Sequence, residues 1–133
     1  MKGYSTNIEK ATVANSNFRT VLYTAKHSQL VLMALKPGED IGEETHDAND
    51  QFFRFESGTG TVEIDGIPHT VTGGSAVIIP AGARHNIINT SASVALKMYT
   101  IYSPPHHKDG TVHMTKAEAQ ADNEEFDGVP TEK

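Results

Sequence analysis

Cysteine is absent from the 133 residues, which excludes a disulfide framework, a thiolate zinc site and a nucleophilic thiol. Any metal must therefore be held by nitrogen and oxygen donors, and the redox compartment is left open. No apolar run approaches the ~18 residues of a membrane span. The opening MKGYSTNIEK also lacks the apolar core of a signal peptide, so a soluble cytoplasmic protein is the expectation. Basic clusters are missing as well. The formal charge is −6, and residues 118–133, with six acids and one lysine, hold −5 of it, leaving a nearly neutral body. Nucleic acid asks for a clustered basic face, and nothing invites an anionic membrane surface, so neither is an expected partner. There is no Gly-x-Ser-x-Gly elbow and no phosphate-cradling Gly-rich loop before a helix; Gly73-Gly74 reads as a hairpin turn. Helical periodicity is lacking up to about residue 112.

What the chain does contain is a series of short runs rich in Val, Ile, Tyr and Phe: FRTVLYT, QLVLMALK, QFFRF, GTVEI, HTV, SAVIIP, RHNII and VALKMYTIY. LKPGED, ESGTG, DGIP, TGGS and PAGAR punctuate them with the residues that tight turns need. This spacing predicts an all-β sandwich or barrel in one domain. Asp65-Gly66, flanked by alternating apolar residues, predicts a hairpin. Only TKAEAQAD reads as helix, with Thr115 as N-cap and Glu118 completing a capping box. The expected division is a β-barrel over 1–114, including an N-terminal strand region, followed by a short helix and acidic tail over 115–133. The tail is either frayed or a docking strip.

Two segments carry chemistry. In GEETHDANDQ, Glu44 and His46 project to one side of a strand, and a later strand can present Gln51, Phe53 and Phe55 to that side. A divalent cation satisfies a carboxylate, an imidazole and an amide together; an exposed polar loop after Pro37-Gly38 is the other reading. In GSAVIIPAGARHNIIN, a buried strand and a Pro-x-Gly turn lead to His85 at the start of the next strand, within reach of the same face.

These segments make the chain resemble a single-domain cupin. The second cupin motif, Gly-x5-Pro-x-Gly-x2-His-x3-Asn, is matched by Gly74, Pro80, Gly82, His85 and Asn89. The first aligns Gly38, Glu44, His46, Gln51 and Gly58, with Glu44 where the family usually has its first His and Gln51 where it usually has Glu. The resemblance implies a double-stranded β-helix, a jelly-roll-like barrel with a short C-terminal helical segment. It implies one divalent transition metal per chain, nickel, manganese, iron, zinc or copper, held by Glu44, His46, His85 and Gln51. Moving the carboxylate and filling its place with an amide keeps the site's net charge at +1. Gln51 either ligates or hydrogen-bonds a metal-bound water or substrate; Asp50, a rival, points the other way on the strand's alternation.

Around that site, Phe53 and Phe55 either pack the core or share the pocket wall, and one of Met98, Tyr99 and Tyr102 either lines the pocket or packs the core. Arg54 faces outward. Arg84, Arg54 and Lys97 are the available cations for a phosphate clamp, but no cluster is evident. His27 and His69 belong at turns or on the outer face. His106, His107 and His113, in SPPHHKDGTVH, are expected to be solvated loop residues, with a cap over the barrel mouth, adventitious metal or a subunit contact as alternatives. Resemblance further implies a homodimer in which the C-terminal helix and the N-terminal strand region meet the second subunit. For function the sequence leaves two classes. One is a metal-dependent enzyme, dioxygenase-like or isomerase/lyase-like, on a small oxygen-rich or dicarbonyl metabolite, with Glu44 as a catalytic base. The other is a non-catalytic small-molecule or metal-binding module.

Overall fold

Strict alternation along Leu96–Ser103, LKMYTIYS, turns Leu96, Met98, Thr100 and Tyr102 inward and Lys97, Tyr99 and Ile101 outward. Asp50–Ser57 does the same for Gln51, Phe53 and Phe55. The computed structural model describes residues 1–133 and builds the remaining elements around these two strands. In chain order they are α1 (Ile8–Ala14), β1 (Arg19–Thr24), β2 (Gln29–Leu35), β3 (Glu44–Thr45), β4 (Asp50–Ser57), β5 (Thr59–Ile64), β6 (Ile67–Thr72), β7 (Ala76–Ile79), β8 (Arg84–Asn89), β9 (Leu96–Ser103), β10 (Val112–His113) and α2 (Lys116–Ala121). The strands form two antiparallel sheets, one in the order β10-β1-β2-β9-β4-β7 and one in the order β3-β8-β5-β6. Their facing sides enclose an apolar core in which Phe53, Phe55, Met98, Val31, Leu35 and Ile87 are at most 1% exposed. The all-β barrel with a short C-terminal helix expected from the sequence is the architecture observed.

Local chemistry accounts for the turns. Asp65 and Gly66 both have positive φ, 47° and 79°, as a two-residue hairpin between Ile64 and Ile67 requires. Thr115 caps α2, its hydroxyl accepting from Glu118 N at 3.2 Å. Residues 8–14, in a stretch where no helical periodicity is read, form α1, with Asn7 as cap accepting from Lys10 N at 3.0 Å. Two turns are too few to show an apolar stripe in the sequence. The helix holds by packing on the outer faces of β9, β4 and β2 and by the Lys97 Nζ bond to Val13 O at 2.7 Å near its C-terminal end. It covers β2 from outside, so β2 is buried on both faces along most of its length.

Beyond α2 the acidic tail runs back along the barrel. Phe126 N donates to His106 O at 3.0 Å and Thr131 N to Thr24 O at 2.9 Å. Glu132 accepts from the Tyr23 hydroxyl and from Lys2 N and Gly3 N. No helix is long and apolar enough to cross a membrane.

Gly58 begins the crossing from β4 to β5 at φ +94°, and a Cβ there would lie 2.5 Å from Ala95 O and 2.9 Å from Leu96 Cα. Gly38 has a similar φ of +75° but open space around it. Gly38→Ala should therefore cost about 1–2 kcal/mol of left-handed strain, and Gly58→Ala more than ~2 kcal/mol because backbone must also move. Urea unfolding of both variants checks this; equal losses would show that the close approach is relieved at no cost.

Candidate metal centre

The centre is assembled by pairing. β3 is two residues long, and its ladder with β8 sets Glu44 opposite His85 and Thr45 opposite Arg84. The turn before β8 fixes the next residue: Gly82, at φ +88°, donates its N–H to His46 O at 3.0 Å. Asp50 Oδ1 accepts from Ala81 N at 2.9 Å, so this carboxylate braces the turn and is no ligand candidate. From the other sheet, β4 directs Gln51 inward, 3% exposed and in register with Tyr102 and Ile79.

Glu44, His46 and His85 bring their donor atoms within 4.8 Å of one another. His46 Nε2 lies 2.9 Å from Glu44 Oε2, close to the ~3 Å that separates neighbouring ligand atoms each ~2.1 Å from a metal. A carbonyl only accepts, so the 3.0 Å contact to Ala83 O makes Nδ1 of His85 the protonated nitrogen and leaves Nε2 with its lone pair. Gln51 Oε1 is buried without a hydrogen-bond partner, a vacancy that ordinarily costs about 1–3 kcal/mol. Burial raises the Glu44 carboxyl, but the His46 hydrogen bond and the neighbouring His46, Arg19 and His85 side chains hold it below the ordinary carboxylate range. A carboxylate kept ionised, two imidazoles and an unpaired amide oxygen fit a divalent cation.

The walls correct several expectations. Phe53 and Phe55, 1% and 0% exposed, stack on each other at 6.2 Å within the core and do not line the cavity beside Glu44. Met98 is likewise core and Tyr99 lies outward against Phe52, whereas Tyr102 borders the centre, its ring 5.9 Å from His46. His106, His107 and His113 are not solvated loop residues. His107 and His113 are 5% and 4% exposed, and the His106 ring lies 4.3 Å from that of His46. For His106 and His107 the cause is Gln29, a buried amide on β2 that accepts from His106 N and His107 N and donates to His107 O, pinning the loop across the mouth, while Arg19 and Asp122 hold His113 on β10. His27 and His69 remain exposed.

Behind the mouth runs a polar chain. Burial pushes the His107 imidazole below its usual value despite Glu124, and the hydrogen bond from His107 keeps Glu124 ionised despite burial. Neutral His107 therefore donates from Nδ1 to Glu124 at 2.8 Å and accepts at Nε2 from the Tyr102 hydroxyl at 3.2 Å. Burial pushes that hydroxyl well above its ordinary value, so it keeps its proton. Burial, with His107 and His46 adding to it, takes His106 down to about 4, which leaves it neutral at neutral pH. Sequence reasoning missed Arg19, Gln29 and Glu124. The one available signal was a lone arginine opening an apolar strand, Arg19 in FRTVLYT. The cations considered for a phosphate clamp are committed elsewhere: Arg84 pairs with Glu43, Arg54 with Glu56, and Lys97 with the Val13 carbonyl.

The family profile described as "Cupin domain" matches residues 31–102. The chain is similar to the Bacillus subtilis (strain 168) protein YrkC, 48% identical over 126 residues that cover 90% of this chain and 67% of the relative. It is also similar to a protein of Acanthamoeba polyphaga mimivirus, 43% identical over 119 residues, 87% of this chain and 74% of that one. The crystal structure of BH2720 from Bacillus halodurans superposes with a TM-score of 0.89 at 43% identity, covering 91% of this chain and 96% of that chain.

If these four side chains hold a metal, His85→Ala and Glu44→Ala should each weaken divalent-metal affinity by roughly 100-fold or more, and Gln51→Ala by about tenfold. Calorimetric titration of each variant measures this. Full metal occupancy in His46→Ala would exclude the centre.

Proposed function

The chain belongs to the cupin family, and from that premise we infer that it binds one divalent transition metal and acts as a metal-dependent enzyme on a small oxygen-rich or dicarbonyl metabolite. The observation that carries the reading is the convergence of Glu44, His46 and His85 within 4.8 Å, with the buried Oε1 of Gln51 left unpartnered on the inner face of β4. A bound nickel, manganese, iron, zinc or copper ion supplies Lewis acidity for isomerase or lyase chemistry and, where it changes valence, electron transfer for dioxygenase chemistry.

The protein's own groups have definable tasks. The Glu44 carboxylate, one-third exposed and held ionised, is the group suited to take a proton from a substrate carbon or hydroxyl. The Tyr102 hydroxyl, its one proton committed to His107, presents a fixed acceptor at the wall. The His106 ring, lying 5.2 Å from that of Tyr102, narrows the mouth. A second reading, a binding module without turnover, is favoured by the amide at Gln51, a weaker ligand than the carboxylate usual at that position.

The homodimer belongs to the same reading, with the outer face of the six-stranded sheet as its surface. Ile78, Phe52, Ile101, Leu30 and Tyr23 form one cross-strand row over the outside of the six-stranded sheet, ending at edge strand β7, where Ile78 is 67% exposed. An apolar row of this kind suits a second copy of the chain.

Elemental analysis of untagged protein, purified without added metal or chelator, should find close to one transition-metal ion per chain; no metal, and none taken up on titration, would favour the binding module. Light scattering should show a dimer for the native chain and a monomer for Phe52→Glu; a native monomer would remove the proposed face.

A further inference from the structure

Arg19 opens β1 and points inward, only 7% exposed. One Nη1–H donates to His113 Nδ1 at 3.0 Å, and His113 donates from Nε2 to Asp122 at 2.9 Å. Its Cζ lies 5.4 Å from the centre of the Phe18 ring. Arginine cannot shed its charge, and the guanidinium has five N–H groups to satisfy. Yet its Nε is buried without a partner, and Arg19 joins none of the ion pairs of the molecule.

The cavity it faces has a volume of about 220 Å³, and its other charged or titratable lining groups are Glu44, His107, Lys116, Asp122 and Glu124. Each of those has a partner. Lys116 holds Asp40 at 2.6 Å, Asp122 holds His113, Glu124 holds His107, and Glu44 holds His46. Arg19 alone lacks an anion, in a space it shares with the carboxylate of the candidate metal centre.

We propose that Arg19 recognises the carboxylate of a small carboxylic-acid substrate, bound in this cavity with its other end toward Glu44. A planar guanidinium with unused N–H groups is complementary to a planar carboxylate. Phosphate fits less well, because a dianion would meet Glu44, Asp122 and Glu124 with only one unpaired cation to offset them. The volume is several times the ~30 Å³ of a water in the liquid, enough for a chain of a few carbons. The proposal rests on the reading of Glu44 and its neighbours as the reaction centre only for the position of the substrate's far end.

The test uses pyruvate as the acid probe and pyruvamide as its neutral counterpart, on the full ¹⁵N-labelled chain, once with Zn(II) and once with chelator. The Arg19 Nε–H resonance, assigned by its loss in Arg19→Lys, should shift on addition of pyruvate and stay in place with pyruvamide. Arg19→Met should bind pyruvate at least about tenfold more weakly while taking up Zn(II) like the native chain. No shift up to about 20 mM pyruvate, well beyond a ~1 mM dissociation constant, or an equal response to pyruvamide, overturns the proposal even where Zn(II) binds. A pyruvate shift in a chain that takes up no Zn(II) sustains the carboxylate site and removes the metal reading instead. Should Arg19→Met fail to fold, the native resonance decides the matter.

Discussion

Two rungs of ladder between β3 and β8 hold the centre together. The side-chain period of a strand is two, so a slip of one residue would turn Glu44 away from His85 and leave both without the other. The register is fixed from both ends of β8. Before it, the Gly82 amide holds the His46 carbonyl and Asp50 holds the Ala81 amide. At its end, Asn89 Nδ2 is shared among the carbonyls of Leu35, Lys36 and Val94, and Asn89 Oδ1 accepts from Ser91 N. The glycine and asparagine of the second motif thus carry no chemistry of their own. They are the clamps that let a two-residue strand place a histidine.

The charge distribution acquires a meaning that a count of residues hides. Most of the negative charge lies beyond residue 117, as a solvated strip would have it, yet Asp122, Glu124 and Glu132 each accept a hydrogen bond from the barrel. Burying an ion without compensation costs several kcal/mol. Asp122 and Glu124 face that cost from the outside, and their fields reach Arg19 on the inside, where burial of a guanidinium is tolerated because anions lie close even though none touches it. The acidic tail and the buried arginine are therefore two halves of one electrostatic arrangement, with His107 and His113 as the hydrogen-bonded spacers between them.

Much of this architecture was legible in the sequence. Alternation in QFFRF assigned inner and outer faces, Asp65-Gly66 marked its hairpin, and the resemblance of the stretch from Gly38 to Asn89 to the cupin motifs pointed to Glu44, His46, Gln51 and His85 as one group. What escaped has a common cause. Helix α1 is stabilised by contact with a sheet face rather than by its own seven residues, so its evidence lies in β2, β4 and β9. The parity of Tyr102 could not be fixed because apolar residues occur on both sides of β9. His106 and His107 are buried through Gln29, 77 and 78 residues away along the chain. Pairings of that sequence separation leave no periodic trace.

The tail also changes how the entrance can behave. Residues after α2 pair with no strand, and a few hydrogen bonds hold them against the loop at His106 and His107. Glu124 is in effect a tethered acetate-like ligand for His107, present at an effective concentration set by its covalent leash rather than by solution. None of these bonds belongs to a strand ladder, so breaking them would cost no pairing in either sheet.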